Sequence, residues 1–135
     1  MGFQWLDPKT GRGAMGMEFN TRVSEQIGRY LDLATSEIKL TAANMANIDT
    51  PGYRAVGMDF EAEMRGAIDG VDRGKAPRPV RIRDVDGLIA RPDGNNVSMD
   101  HEGLRLAEAQ LKFKIGVALL REQNQTLMDA IHADK

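Results

Sequence analysis

Apolar residues recur at helical spacing along two stretches of the chain, and that spacing is lost between them. From Ile27 the positions Ile27, Leu31, Ala34, Ile38, Thr41, Met45 and Ile48 alternate spacings of four and three. This is an a/d seam of period 3.5, which predicts an amphipathic helix able to pair with another. Asn20 or Thr21 suits its N-cap, because either side chain can accept from an unpaired first-turn N–H. Glu25 and Arg29 stand i,i+4 in the favourable order. The helix is expected to end near Asn47, and Pro51 forbids its continuation. The seam contains Ala34 and Thr41, so a partner helix can approach closely there.

A second helix is predicted from Ser98–Asp100 to about His132. Leu106, Phe113, Val117, Leu120, Leu127 and Ile131 keep one stripe, and Leu104, Leu111, Ile115 and Leu119 add an adjacent one. The apolar face is therefore wide enough to touch more than one partner helix. Glu108 and Lys112 are placed to pair at i,i+4. Asn124 falls within the first stripe, either buried between helices or on an edge facing water.

Between the helices the pattern breaks. Phe60, Met64 and Ile68 allow a short helix, with Gly66, Gly70 and Gly74 interrupting it. Pro77 and Pro79 follow, and Val80, Ile82 and Val85 allow short extended pieces. Asp86-Gly87 suits a hairpin turn. Residues 54–97 are thus read as irregular or as a small β-containing excursion. The cluster Asp93-Gly94-Asn95-Asn96-Val97 closes it. Ahead of the first helix, residues 1–19 give weak signals and are expected to form a flexible N-terminal segment. The fold class that results is mainly α. Its units are that segment, a helix and corner over 20–53, the middle segment 54–97 and a C-terminal helix over 98–135.

Composition removes several functions. With 135 residues the chain allows one domain. A net charge of −2 argues against a general nucleic-acid binder. The middle is basic, with six basic residues against two acidic ones from Arg73 to Arg91, but no aromatic is interleaved to stack a base. There is no cysteine, hence no disulfide and no thiolate metal site. No secretory signal is expected at the N-terminus, and no apolar run is long enough to insert in a membrane.

Candidate chemistry is equally sparse. Gly11-Arg12-Gly13-Ala14-Met15-Gly16 matches a dinucleotide fingerprint but lacks the preceding apolar strand that would give it meaning. His101 and His132 lie near opposite ends of one helix, so they cannot share a metal ion. Neighbouring carboxylates read as surface charges. No catalytic residue, cofactor site or metal site is assigned. What remains is two apolar seams and a middle too small to bury them, which points to assembly. The assembly seam is assigned to Ile27, Leu31, Ile38, Met45, Leu106, Phe113, Val117, Leu120, Leu127 and Ile131.

The corner carries the most distinctive residues. Asn44-x-Ala46-Asn47-x-x-Thr50-Pro51-Gly52-Tyr53, followed by Arg54, Ala55 and Asp59-Phe60, resembles the N-terminal signature of the bacterial flagellar rod and hook family. Asp93 to Val97 ahead of a long helix is similar to the same family, and the chain length suits its short proximal-rod members. The resemblance implies a structural subunit exported through the flagellar type III apparatus. It implies terminal helices paired as a coiled coil in a helical rod crossing the periplasm, surrounding the export channel and transmitting torque. The implied partners are other copies, other flagellar rod proteins, the adapter that joins rod to ring, and the export gate. The competing reading from the residues alone is a small helical adaptor or chaperone. Within the corner, Pro51 and Gly52 match the preferences of a type II turn. Asn44 and Asn47 are placed to bond open backbone groups at the helix end.

Overall fold

The computed structural model describes residues 8–133. The first element, α1 (Pro8–Ala46), is a single helix of 39 residues. Pro8 is its first described residue. The expected start at Asn20 is therefore too late. Gly11, Gly13 and Gly16 weaken local helix propensity without breaking the helix. The glycine fingerprint lies inside this helix and not at a strand–helix turn. Phe3, Trp5 and Leu6, part of the segment expected to be flexible, fall outside the described residues.

After the corner come β1 (Val56–Gly57), α2 (Phe60–Asp72), β2 (Arg83–Asp84) and α3 (Met99–Ala133). Asp59 caps α2 by accepting from Ala62 N–H at 3.0 Å. Glu61 and Glu63 complement the positive end of the helix dipole. The helix runs through Gly66 and Gly70 and stops only at Gly74, where φ is +66°. There Lys75 N–H bonds Gly70 O and Gly74 N–H bonds Val71 O, closing a Schellman motif. At Gly66 the end of the Arg78 side chain crosses where a Cβ would stand.

The two short strands form an antiparallel pair, Val56 facing Asp84 and Gly57 facing Arg83. Gly87 does adopt the positive φ of a turn, but β2 pairs back to β1 and not to a strand beyond Asp86-Gly87. Val85 N–H continues the ladder to Ala55 O.

Helices α1 and α3 run antiparallel. At one end Asn44 meets Glu102, and at the other Gln123 donates to Asn20. On α1 their line of contact includes the expected Ala34 and Thr41, whereas on α3 it lies outside the predicted stripes. The buried positions along it are Ala34, Glu37, Thr41 and Asn44 on α1, and Glu102, Ala109 and Gly116 on α3. Small residues take this line because two helix backbones can close only where side chains are short. The larger Ile27, Leu31, Ile38, Met45, Leu106, Val117, Leu120 and Leu127 flank it and are half-buried. Phe113 and Ile131 are exposed. Gly116 shows the fit directly. A Cβ there would lie 2.6 Å from Leu31 Cδ2 and 3.0 Å from Tyr30 Cδ1. Asn124 is exposed and takes no part in the pairing. Lys112 turns away from Glu108 to bond Glu37 across the seam at 2.9 Å.

Candidate functional site

The corner begins where α1 runs out of partners for its carbonyls. Ile48 N–H bonds Met45 O at 3.3 Å, tightening the last turn. Tyr53 N–H then returns to Thr50 O at 3.2 Å, and Gly52 takes φ +75°. That is the type II geometry the Pro-Gly pair favours, since the third residue needs a positive φ. Pro51, Gly52, Thr50 and Ala46 are exposed, while Tyr53 is half-buried.

The two sequence motifs meet here. Asn95 is completely buried, and its Nδ2 donates to Asn47 O, Ile48 O and Thr50 O at 2.9, 3.0 and 2.9 Å. These carbonyls lie beyond the last helical turn, and those of Asn47 and Thr50 also accept from Thr50 N–H and Tyr53 N–H. Its Oδ1 accepts from Val97 N–H at 2.8 Å, so one side chain ties the exit of α1 to the entrance of α3. Gly52 N–H donates to Asp93 O, and the Arg91 guanidinium donates to Ile48 O. Gly94, at φ +86°, sits against Gly52, where a Cβ would lie 3.4 Å from the Gly52 Cα. Asn96 accepts from Ala55 N–H at 2.6 Å. Each asparagine is thus used as a local backbone surrogate.

Asn44 joins the corner to the helix seam. Its Oδ1 accepts from Val56 N–H at 2.9 Å and Tyr53 O–H at 3.2 Å. Its Nδ2 donates to Val56 O at 2.8 Å and Glu102 Oε2 at 3.1 Å. All four hydrogen-bonding positions of the amide are therefore satisfied while it is fully buried. Asn47 holds the turn from inside, donating to Ala43 O and accepting from Thr50 Oγ1.

Sequence reasoning missed the polar half of the seam. Glu37 is 5% exposed, 2.9 Å from Lys112 Nζ and 3.9 Å from Arg105 Nη2. Lys112 also stands 4.1 Å above the centre of the Phe60 ring. Its ring partner Tyr30, edge-on to Phe60 at 5.5 Å, has its phenol pushed up by burial and by the nearby Glu37 carboxylate. The signal was present in the spacing. Glu102, Ala109, Gly116 and Gln123 repeat every seven residues, as do Tyr30, Glu37 and Asn44. A search for large apolar residues alone passes over both rows.

None of these groups is arranged for chemistry. Most of the buried polar atoms hold backbone ends or one another, Asn96 Nδ2, His101 Nε2 and Glu102 Oε1 being the buried ones without a partner among the described residues, and His101 and His132 lie far apart on α3. Among the described residues no group of three or more His, Cys, Asp or Glu could hold a metal ion. The apolar surface, in contrast, is left open. Leu104, Leu111, Ile115 and Leu119 are exposed on one flank of α3, and Phe113, Met128 and Ile131 on the other. A rigidly braced helix pair with both flanks apolar is a building block of a larger helical assembly.

The comparisons with known proteins give that class its particulars. The chain is 33% identical over 122 residues to the flagellar basal body rod protein FlgB of Salmonella typhimurium, covering 75% of this chain and 86% of that protein. To FlgB of Cereibacter sphaeroides it is 31% identical over 128 residues, covering 84% and 99%. To FlgB of Escherichia coli K12 it is 27% identical, covering 76% and 88%. No family model matches the chain. The chain belongs to the FlgB family of flagellar basal body rod proteins. It is a structural subunit and not an enzyme.

Proposed function

We propose that this chain builds the proximal rod of the flagellar basal body, in the periplasm, with other copies of itself and other rod proteins as lateral and axial neighbours. In this reading the flagellar type III apparatus exports it unfolded. It then forms part of a helical axial structure that surrounds the export channel and transmits torque. The rod-to-ring adapter and the export gate are its neighbours at the base. The observation that carries the reading is the pair of open apolar flanks on α3 beside a polar, small-residue seam. A subunit of this kind pairs most of its buried polar groups internally and leaves apolar area for its neighbours.

The corner acts within this function by fixing the angle at which the chain leaves α1 for the outer segment. The interlock of Asn95 with three carbonyls and of Gly94 against Gly52 supports that role.

The test separates assembly from folding. Leu111→Asp and Leu119→Asp place charges on exposed positions, so the helix pair should melt at the parent temperature. In a motile host whose own subunit has been replaced by this chain, both variants should stop swimming and yield no rod in purified basal bodies. Normal rods from these variants would remove α3 from the assembly surface. For the corner, Pro51→Ala or Gly52→Ala with undiminished rods and motility counts against the angle-setting role.

A further inference from the structure

The two flanks of α3 are alike in hydropathy and opposite in charge. Successive helix positions turn by about 100°, so Leu104, Glu108, Leu111, Ile115, Leu119 and Glu122 fall within a sector of about 80°. Phe113, Lys114, Arg121, Met128 and Ile131 fall within a second sector of about 100°, on nearly the opposite side of the helix. The buried Ala109 and Gly116, packed on α1, separate the two. Leu104 and Leu111 are 61% and 59% exposed, and Met128 and Ile131 are 51% and 59% exposed, so the subunit covers neither sector by itself.

The charges on these sectors are free. Glu108, Glu122, Lys114 and Arg121 are all exposed, and none enters an ion pair among the described residues. The bases that border the acidic sector, Arg105 and Lys112, are committed to Glu37 at 3.9 and 2.9 Å. The second sector contains no acidic residue.

This segregation decides which contacts are favourable. Two copies meeting by the same flank set Glu108 and Glu122 against each other, or Lys114 and Arg121 against each other, and like charges in contact disfavour that pairing. Unlike flanks join two apolar rows and place carboxylates beside cations, as the edge charges of a coiled coil do. A partner of one charge would suit one flank. A second copy suits both, because each chain carries both faces. Its own outer flank then stays open for a third, which is a heterologous contact that does not close on two subunits.

We propose that α3 is a two-faced self-recognition element, its Glu108–Glu122 flank docking on the Lys114–Arg121 flank of a second copy to make a head-to-tail row. The proposal rests on the reading of the chain as a rod subunit and adds which face meets which.

The experiment places the whole chain in a motile host in place of the host's own subunit. Glu108→Lys with Glu122→Lys makes both flanks basic, and Lys114→Glu with Arg121→Glu makes both acidic. Each pair should cut the rod yield in purified basal bodies by at least about tenfold and leave the melting of the purified chain unchanged. All four changes together exchange the signs and should restore about half of the parent yield. A second readout uses the lack of native cysteine. Leu111→Cys with Phe113→Cys, treated with a bismaleimide in basal bodies, should give dimers, trimers and higher species, whereas either cysteine alone should leave monomers. Normal rods from either charge pair, a fourfold variant no better than the pairs, or dimers from a single cysteine overturn the proposal and leave the rod reading intact. Failure of the unmodified chain to form rods fails the rod reading instead. The cross-linking is then carried out on the concentrated purified chain, where the absence of species beyond a dimer overturns the proposal as well.

Discussion

Asn95 offers the sharpest test of how the corner is held. Its side chain donates to three carbonyls at 2.9 to 3.0 Å and accepts from Val97 N–H, all out of contact with water. A net hydrogen bond is worth about 1 kcal/mol, and an abandoned buried group costs about 1–3 kcal/mol. Asn95→Ala removes the bonds and strands the Val97 N–H, so it should cost about 3 kcal/mol. For a domain of this size that lowers Tm by roughly 10 °C. Asn95→Asp is the more telling change. It keeps the shape but turns a donor into a carboxylate oxygen facing three carbonyls, with Asp93 Oδ1 already 3.0 Å from the Asn95 N–H. At pH 7 it should be less stable than the alanine variant. Its deficit should shrink as pH falls toward about 4, where the carboxyl is protonated and can donate again. Urea unfolding followed by helical circular dichroism measures the order, and amide exchange at Val97 reports the local opening. An aspartate variant as stable as alanine at pH 7, or one indifferent to pH, would refute the donor role assigned to this side chain.

Three other outcomes follow from the seam. Gly28→Ala meets open space within a helix and should raise stability by about 1 kcal/mol in thermal melts, whereas Gly116→Leu, driven into Leu31 and Tyr30, should lower it by about 2 kcal/mol. Lys112→Met should cost about 1–3 kcal/mol in urea unfolding, because Glu37 is left with only the longer Arg105 contact. Combining it with Glu37→Leu should recover most of the loss. Tyr30 should ionise above the usual value of about 10 in an ultraviolet titration, and Tyr30→Phe should delete that late step. Because its folded pKa is raised, its contribution to stability is complete below pH 10 and is lost as pH climbs through the folded value.

What could be read from the sequence, and what could not, divides along physical lines. Helix existence was legible because periodicity is a local property, and so were the turn preferences of Pro51 and Gly52. The residues of the corner were named from their resemblance to a family, but their partners were hidden. Asn95 finds Asn47, Ile48 and Thr50 across more than forty residues of chain, and no spacing rule announces that contact. The start of α1 was placed too late because the residues ahead of Asn20 give weak local signals, while the helix as a whole carries Gly11, Gly13 and Gly16. The seam was displaced for a different reason. On α1 the close approach expected at Ala34 and Thr41 is found, but on α3 large apolar residues were taken as the contact line, whereas the buried positions are Ala109 and Gly116 and the large residues spread to either side.

That displacement bears on how the subunit is stabilised. Had Leu and Ile filled the centre of the α1–α3 contact, the isolated subunit would bury most of its apolar area by itself and offer little to a neighbour. Here the centre is occupied by alanine, glycine and paired polar groups, whose removal in matched pairs is expected to cost little. The buried apolar residues include Leu33, Ala55, Met58, Val71 and Val97, which lie at the α2 side and the corner, not along the length of the helices. Stability within the subunit is thus concentrated where the geometry must be kept. Along α3 most of the large apolar residues stay exposed in the subunit, area that the proposed assembly would cover. A helix pair made in this way should loosen readily from its open end, near Asn20 and Gln123, and hold at the Asn44–Glu102 end. Amide exchange that is fast near Gln123 and slow near Glu102 in the isolated chain, and slow at both once assembled, is the outcome this distribution requires. Uniform protection along α3 in the isolated chain would show that the seam, and not its neighbours, supplies the missing stability.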